Sequence, residues 1–387
     1  MNLTRKYVTS SAVFAVAISL SLVWSIPSWA TTSTPFKHPG AIALDHHGHL
    51  WIANQDYFGI TEIQASTGKV IRLVNAKADG FIDPSGIAVS GNTVWIVSGS
   101  VVDVNGTSNY GMVTELNATT GGLVRTVNLK KYGVTGFSAV SADAQHVWVT
   151  ADGGEQVVEL SNATGKVVRV FRSRQVFGSP ISGIATDGSH VWIPSPKPGE
   201  TGGSGGMVER SAVTGAKIRT ITPMEMVVPP GGGNKLPVYL RPRFVTVGAH
   251  YIWTANDAGS NGRSVTQINA ATGGIVRSID TAADGFHSSI SSINSIVSDG
   301  IHVWIVNGST STSLGGSWGD SVTELNASNG SLVRVVHLRN GIHSNPVGLV
   351  SNGVDVWVTD QGGGANGIGS VIELNALTGV VVRVIGA

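Results

Sequence analysis

His287 and His343 are the histidines whose surroundings offer chemistry. Both fall in variable connecting segments, Asp284 stands close before the first, and Glu155, Glu200 and Glu225 occupy segments of the same kind. Imidazoles beside carboxylates can ligate a divalent metal or divide acid and base work between them, so these two are the catalytic candidates. A second group is cationic. Lys130, Lys131, Arg172, Arg174, Lys235, Arg241 and Arg243 follow one another with Tyr132 and Tyr239 between them, and Trp318 comes further on. Ammonium and guanidinium groups hold anions while aromatic faces stack. The ligand-binding candidates are therefore Lys130, Lys131, Tyr132, Arg172, Arg174, Tyr239, Arg241, Arg243 and Trp318. Other chemistries are excluded by what is missing. The 387 residues contain no Cys, which removes disulfides, thiolate metal ligands and Cys nucleophiles, and there is no Ser-nucleophile motif, phosphate loop or dinucleotide fingerprint. The run Asp103-Val-Asn-Gly-Thr-Ser-Asn109 resembles a Ca²⁺ loop without its closing bidentate Glu.

A third set of charged residues recurs too often to be catalytic. Glu, then Gly six positions on, then Arg four after that, stand at Glu62/Gly68/Arg72, Glu115/Gly121/Arg125, Glu159/Gly165/Arg169, Glu209/Gly215/Arg219, Glu324/Gly330/Arg334 and Glu373/Gly379/Arg383. A seventh copy, Gln267/Gly273/Arg277, has Gln for Glu. Each frame alternates apolar and polar residues about a turn, which predicts a half-buried β-hairpin with the Gly at positive φ. If Leu116 faces Val124 and Asn117 faces Leu123, Glu115 lies opposite Arg125, a cross-strand ion pair of the kind worth up to about 1 kcal/mol.

A second pair of strands precedes each hairpin. It is marked by Trp51, Trp95, Trp148, Trp192, Trp253, Trp304 and Trp357, spaced 44 to 61 residues apart, with a small-residue strand such as Gly86-Ile-Ala-Val89 before each. Four strands repeated seven times predict an all-β, seven-bladed β-propeller, its small inner strands round the axis and its Trp side chains wedged between blades. His49, His146, His190 and His302 each stand two residues before a repeat Trp and share its structural reading, and Asp45-His-His-Gly-His49 reads as a solvated hairpin.

The expected domain order is a signal peptide over 1–30, an N-terminal tail over 31–39 and the propeller over 40–387. Arg5 and Lys6, an apolar run from Ala12 to Trp24 and Pro27-Ser-Trp-Ala30 carry the export reading, so a secreted or periplasmic location and no membrane span after cleavage are expected. The full chain has 25 basic and 24 acidic residues; losing Arg5 and Lys6 leaves 23 against 24. That balance argues against nucleic acid as partner. The Asn-x-Ser/Thr sequons at Asn105, Asn117, Asn162, Asn307, Asn326 and Asn329 read as turn residues.

The repeat GIAVSGNTVWIVS…MVTELNATTGGLVRTV resembles the NHL and YVTN propeller repeats, and especially the streptogramin (virginiamycin B) lyase-like group. That resemblance implies a seven-bladed propeller with a metal-assisted His and Glu site on one face. The segments following the Trp residues contain no His or Glu at matching positions. The resemblance therefore carries a divalent metal only if the lyase-like alternative holds.

Loop lengths distinguish the two faces. The a to b and c to d turns are short and uniform, whereas the b to c and d to a connections vary, the longest running from Thr222 to Arg243. A fixed scaffold with varied loops is how binding sites are built. The leading reading is an exported binding or interaction module that takes a small molecule, glycan or protein on its long-loop face, with a basic sector suited to an anionic ligand. Asp79, Asp83, Asp257, Asp280, Asp284, Asp320 and Asp360 are expected to make the opposite sector acidic. The ring is expected to close by blade 1 packing on blade 7, with residues 34–39 assisting.

Overall fold

Alternation of apolar and polar residues over six-residue runs, interrupted by Gly and Asn turns, produces seven sheets of four antiparallel strands each. The computed structural model describes residues 35–55, 59–75, 83–99, 101–102, 108–109, 111–151, 156–172, 183–195, 205–222, 242–257, 263–279, 292–308, 320–338, 344–362 and 369–386. The signal-peptide assignment lies outside them. Residues 34–387 form one unit. The blades span 39–75, 84–128, 137–172, 185–221, 242–279, 292–337 and 346–385, each with its strands a to d in sequence order. Successive a strands touch in a ring, and the first touches the seventh. The seven-bladed propeller expected from the repeat is what the chain forms.

Each Trp is buried against the next blade. Trp51 packs on Ile87, Val94, Ile96 and Leu116 of blade 2, and Trp95 on Val147, Val149 and Leu160 of blade 3. The pattern continues to Trp357, which packs on Ile42, Leu50, Ile52 and Ile63 of blade 1. One junction carries an extra polar tie. The Trp95 indole donates to Asn162 Oδ1 at 2.7 Å, while Asn162 Nδ2 donates to Asp143 O at 2.9 Å. The equivalent place in blades 1 and 2 is Ala65 and Ala118, so Ala fits the backbone there. Asn162→Ala should therefore fold and lose about 1–2 kcal/mol, read as a lower urea midpoint with unchanged slope. An unchanged midpoint would show that the tie contributes nothing.

The Glu and Arg frames pair as expected: Glu62 with Arg72, Glu115 with Arg125, and so on to Glu373 with Arg383. The closest N–O distances in the six pairs are 2.6 to 2.8 Å. Two expectations need correction. Leu116 pairs with Leu123 and not Val124, because Asn117 N–H bonds to Gly122 O and leaves Val124 bulged. The carboxylates are also buried, unlike those of a surface pair, so removing one Arg would strand a buried charge. Each Arg does more than neutralise its Glu. Arg72 reaches Thr119 O in the next blade, Arg169 reaches Val213 O at 2.8 Å, Arg334 reaches Leu377 O at 2.8 Å, and Arg383 reaches Ser66 O of blade 1 at 2.7 Å. Gly121, at φ 69°, lies beneath this clip, and a Cβ there would come within 2.5 Å of Arg72 Cδ. In blade 5, Gln267 adds to the clip, donating to Ala327 O and Ser328 O while Arg277 donates to Asn329 O.

The ends of the described chain close the wheel without exchanging a strand: both blade 1 and blade 7 are built from contiguous sequence. Phe36 is buried with Trp357, and Pro35 O accepts Thr61 Oγ1 at 2.5 Å. Thr359 Oγ1 donates to Gly40 O at 2.6 Å, and Gln361 to Gln55 at 3.1 Å. Phe36, read from sequence as tail, thus joins the core of this junction.

Candidate functional site

The long-loop end begins where strand a starts, and there six of the inner strands share a local irregularity. Register shifts fall between Pro39 and Ile42, Pro84 and Gly86, Phe137 and Ala139, Pro242 and Phe244, Ile293 and Ser295, and Pro346 and Leu349. Such bulges leave one residue outside the ladder and re-aim its side chain. The residues so released include Ser85, Ser138, Arg243 and Asn294. Ser85 Oγ donates to Phe137 O at 3.3 Å and Asn294 Nδ2 to Pro346 O at 2.7 Å, each stitching one blade to the next. Arg243 is half-buried, its guanidinium carbon 5.6 Å from the Phe244 ring centroid. The bulges were not read from sequence, although Pro39, Pro84, Pro242 and Pro346 marked their sites. Pro lacks a ladder donor and belongs at a strand's first residue or at a bulge.

The cationic candidates divide between this inner ring and the outer rim. Strand d of blade 2, Leu123–Asn128, runs into a 3₁₀ turn over Lys130–Tyr132. Asn128 Oδ1 accepts the Lys130 N–H at 2.8 Å, and Gly133 ends the turn in the left-handed region. Leu129 and Val134 anchor it in the core on either side. Lys130 and Lys131 are left exposed, with Lys131 Nζ 4.9 Å from the Tyr132 ring centroid. Arg172, ending strand d of blade 3, donates to Tyr132 O at 2.5 Å. Lys130, Lys131, Tyr132 and Arg172 therefore form one group across the junction of blades 2 and 3. Arg243 sits on the inner strand of blade 5, apart in topology. Arg174, Tyr239, Arg241, Trp318, His287 and His343 lie outside the described residues.

Three of the Asp residues expected in the opposite, acidic sector have described side chains, and two of these are buried. Asp360 is buried and fully used: Oδ2 accepts Ser344 Oγ at 2.9 Å, and Oδ1 accepts Asn345 N–H at 2.7 Å and Gly362 N–H at 3.0 Å. Asp320 is buried too, and its carbonyl accepts Leu338 N–H. Asp83 is exposed. Asp79, Asp280 and Asp284 lie outside the described residues.

The short-turn end holds a constellation that looks catalytic in isolation. Glu62 lies between Arg72 Nε at 2.6 Å and His49 Nδ1 at 2.9 Å, with Asp45 beyond the His. Burial raises the Glu62 pKa to about 7, against the attraction of Arg72 and with help from the Asp45 charge. The arrangement recurs in blade 6, where His302 Nε2 is 3.5 Å from Glu324 and Asp299 stands beside the His. Asp45 is also spent on the fold, accepting the His47 and His49 N–H groups and the Trp51 indole. These are turn braces. Among the described residues no group of three or more His, Asp or Glu is placed to hold a metal ion.

With the architecture in hand, the chain can be compared with solved structures. It matches a streptogramin B lyase with a TM-score of 0.59 at 16% identity, over 84% of this chain and 91% of that one. A catalytically inactive virginiamycin B lyase from Staphylococcus aureus, solved with quinupristin, matches with a TM-score of 0.60 at 15% identity, over 85% and 93%. This chain is a seven-bladed β-propeller similar in structure to those lyases. A WD40 propeller is nearly as similar: the WD40 repeats of RRP9 match with a TM-score of 0.56 at 12% identity, over 83% and 87%. At such identities the likeness is one of fold. No protein-family model and no curated protein matches the sequence. The propeller is thus common to lyases and to interaction modules, and only the site can separate them.

Proposed function

We propose that this protein is an exported binding module that takes an anionic ligand, such as an acidic glycan, on its long-loop face. The observation behind this reading is the gathering of Lys130, Lys131 and Arg172 around Tyr132 on two rigid blades. Anions are held by charge-assisted hydrogen bonds, and a ring beside the cations offers a stacking surface. The probe is a heparin hexasaccharide titrated calorimetrically at low and physiological salt. Lys131→Ala/Arg172→Ala is expected to weaken binding about tenfold, and salt to weaken it further. Absence of binding at low salt, or equal affinity of variant and parent, would sink the reading. Export predicts a mature N-terminus at Thr31, read by terminal sequencing of the secreted protein.

The alternative is a metal-assisted lyase or hydrolase, motivated by the structural likeness to the streptogramin lyases, with His287 and His343 as its residues and a divalent metal as cofactor. Incubation with quinupristin and Mg²⁺ or Mn²⁺ tests it. Turnover abolished by His287→Ala and His343→Ala would favour the enzyme over the binding module.

A further inference from the structure

We infer that the short-turn corner of blade 7, on the face away from the proposed ligand, is a contact surface for a second copy of this chain. The repeat itself supplies the baseline. In each blade one a to b turn carbonyl accepts the N–H of the residue after strand c, and the residues providing it are Gly48, Asn92, Gln145, Ser189, His250, Ile301 and Val354. The place is polar or Gly in blades 1 to 5 and apolar in blades 6 and 7. The second c to d turn position in blades 1 to 6 is Ser66, Thr119, Ala163, Val213, Ala271 and Ser328, and in blade 7 it is Leu377. The residue closing that turn in blades 1 to 6 is Lys69, Gly122, Lys166, Ala216, Gly274 and Ser331, and in blade 7 it is Val380. Blade 7 alone is apolar at all three places.

These side chains are exposed and adjoin one another. Val354 is 63% exposed, Leu377 80%, Val380 62% and Val382 50%. The Ala376 N–H to Val354 O bond holds the two turns together, and Arg334 of blade 6, next to Val333 in its strand, donates to Leu377 O. The one cation of the neighbouring strand, Arg383, is already held by Glu373 and Ser66 O, so it does not guard the patch.

The occupant that fits is a second copy in two-fold symmetry. Asp355 stands at the patch edge beside Val354 and is only partly exposed; the other side chains of the patch are uncharged, and a chain within one charge of neutrality, with or without residues 1–30, does not repel its twin at long range. The exposed parts of Val333, Val354, Leu377, Val380, Val381 and Val382 amount to more than three whole side chains, or roughly 400 Å² of apolar surface. At the usual apolar share such an interface covers about 700 Å² per copy, close to the roughly 800 Å² of a standard dimer.

The test uses residues the protein already carries elsewhere. The triple variant Val354→Asn, Leu377→Ser, Val380→Lys imports side chains from equivalent places in other blades, so its thermal midpoint should match the parent. Sedimentation velocity from about 1 to 300 μM should show a concentration-dependent dimer for the parent. The triple variant should raise the dimer dissociation constant by at least about 30-fold, while Val213→Ser on blade 4 leaves it unchanged. A parent that stays monomeric throughout, or a dimer that survives the triple variant, overturns the inference.

Discussion

Replacing Trp357 with Ala is expected to lower stability by about 3–5 kcal/mol and, unlike the same change at Trp95, to break two-state unfolding. Both indoles are fully buried against the following blade, so the lost transfer energy and the cavity are alike, and Trp95→Ala gives up the bond to Asn162 in addition. The junctions differ in connectivity. Blades 2 and 3 are joined by the chain through residues 129–136, whereas blades 7 and 1 are held by contacts alone, and Trp357 is the largest of them. Loss of its packing on Ile42, Leu50, Ile52 and Ile63 frees Phe36 and weakens the point where the wheel can open. Urea unfolding should show Trp95→Ala as a single displaced transition and Trp357→Ala as a broadened one with a reduced slope, the mark of lost two-state behaviour. Equal midpoints and slopes for the two variants would remove the distinction drawn between the junctions.

The second expectation concerns pH. The Glu62 carboxyl is raised from 4.5 to about 7, chiefly by burial, with Arg72 opposing and Asp45 reinforcing the shift. An acid whose folded pKa lies above its unfolded one favours folding while it is protonated. Its contribution is complete below about pH 4.5 and is lost as pH rises through about 7. Glu62→Gln keeps the shape and removes the titration, and Gln267 already serves in the equivalent place of blade 5. The attraction of Arg72 is included in that balance, so the variant should be more stable than the parent at pH 8, by up to about 3 kcal/mol, and nearly equal to it at pH 4.5. Glu115, Glu159 and Glu324 are also raised, in each case chiefly by burial, so the variant retains part of the slope. Urea midpoints for both proteins across this range decide the matter. A gap that does not widen from pH 4.5 to 8 would place the Glu62 carboxylate in a better-solvated setting than its burial implies.

The architecture was legible because repetition converts weak local signals into strong ones. One Glu, one Gly and one Arg in a hairpin say little, but the same spacing seven times fixes register, turn and blade count together. What the repeat does not contain was harder to read. Val124 was misplaced because a four-residue loop closed by the Asn117 to Gly122 bond leaves one residue over, and alternation alone does not say which strand absorbs it. The burial of Glu62 and its counterparts, and the reach of each Arg into the next blade, depend on neighbouring sheets that no single repeat describes. Of the candidate site residues, one group can be placed. Lys130, Lys131, Tyr132 and Arg172 come together because turns of adjacent blades must meet at the rim. Asp320 and Asp360 are buried where an exposed acidic sector was expected, because sequence does not separate a solvated Asp from one, like Asp360, enclosed by three hydrogen-bond donors.

Closure without an exchanged strand has a consequence for how such a chain can be rearranged. Phe36 lies so close to Gly386 that a Cβ on the latter would come within 2.6 Å of the Phe36 ring, and no sheet draws on both ends of the sequence. A circular permutant, spliced across that gap and reopened in any connection between blades, would keep every sheet whole.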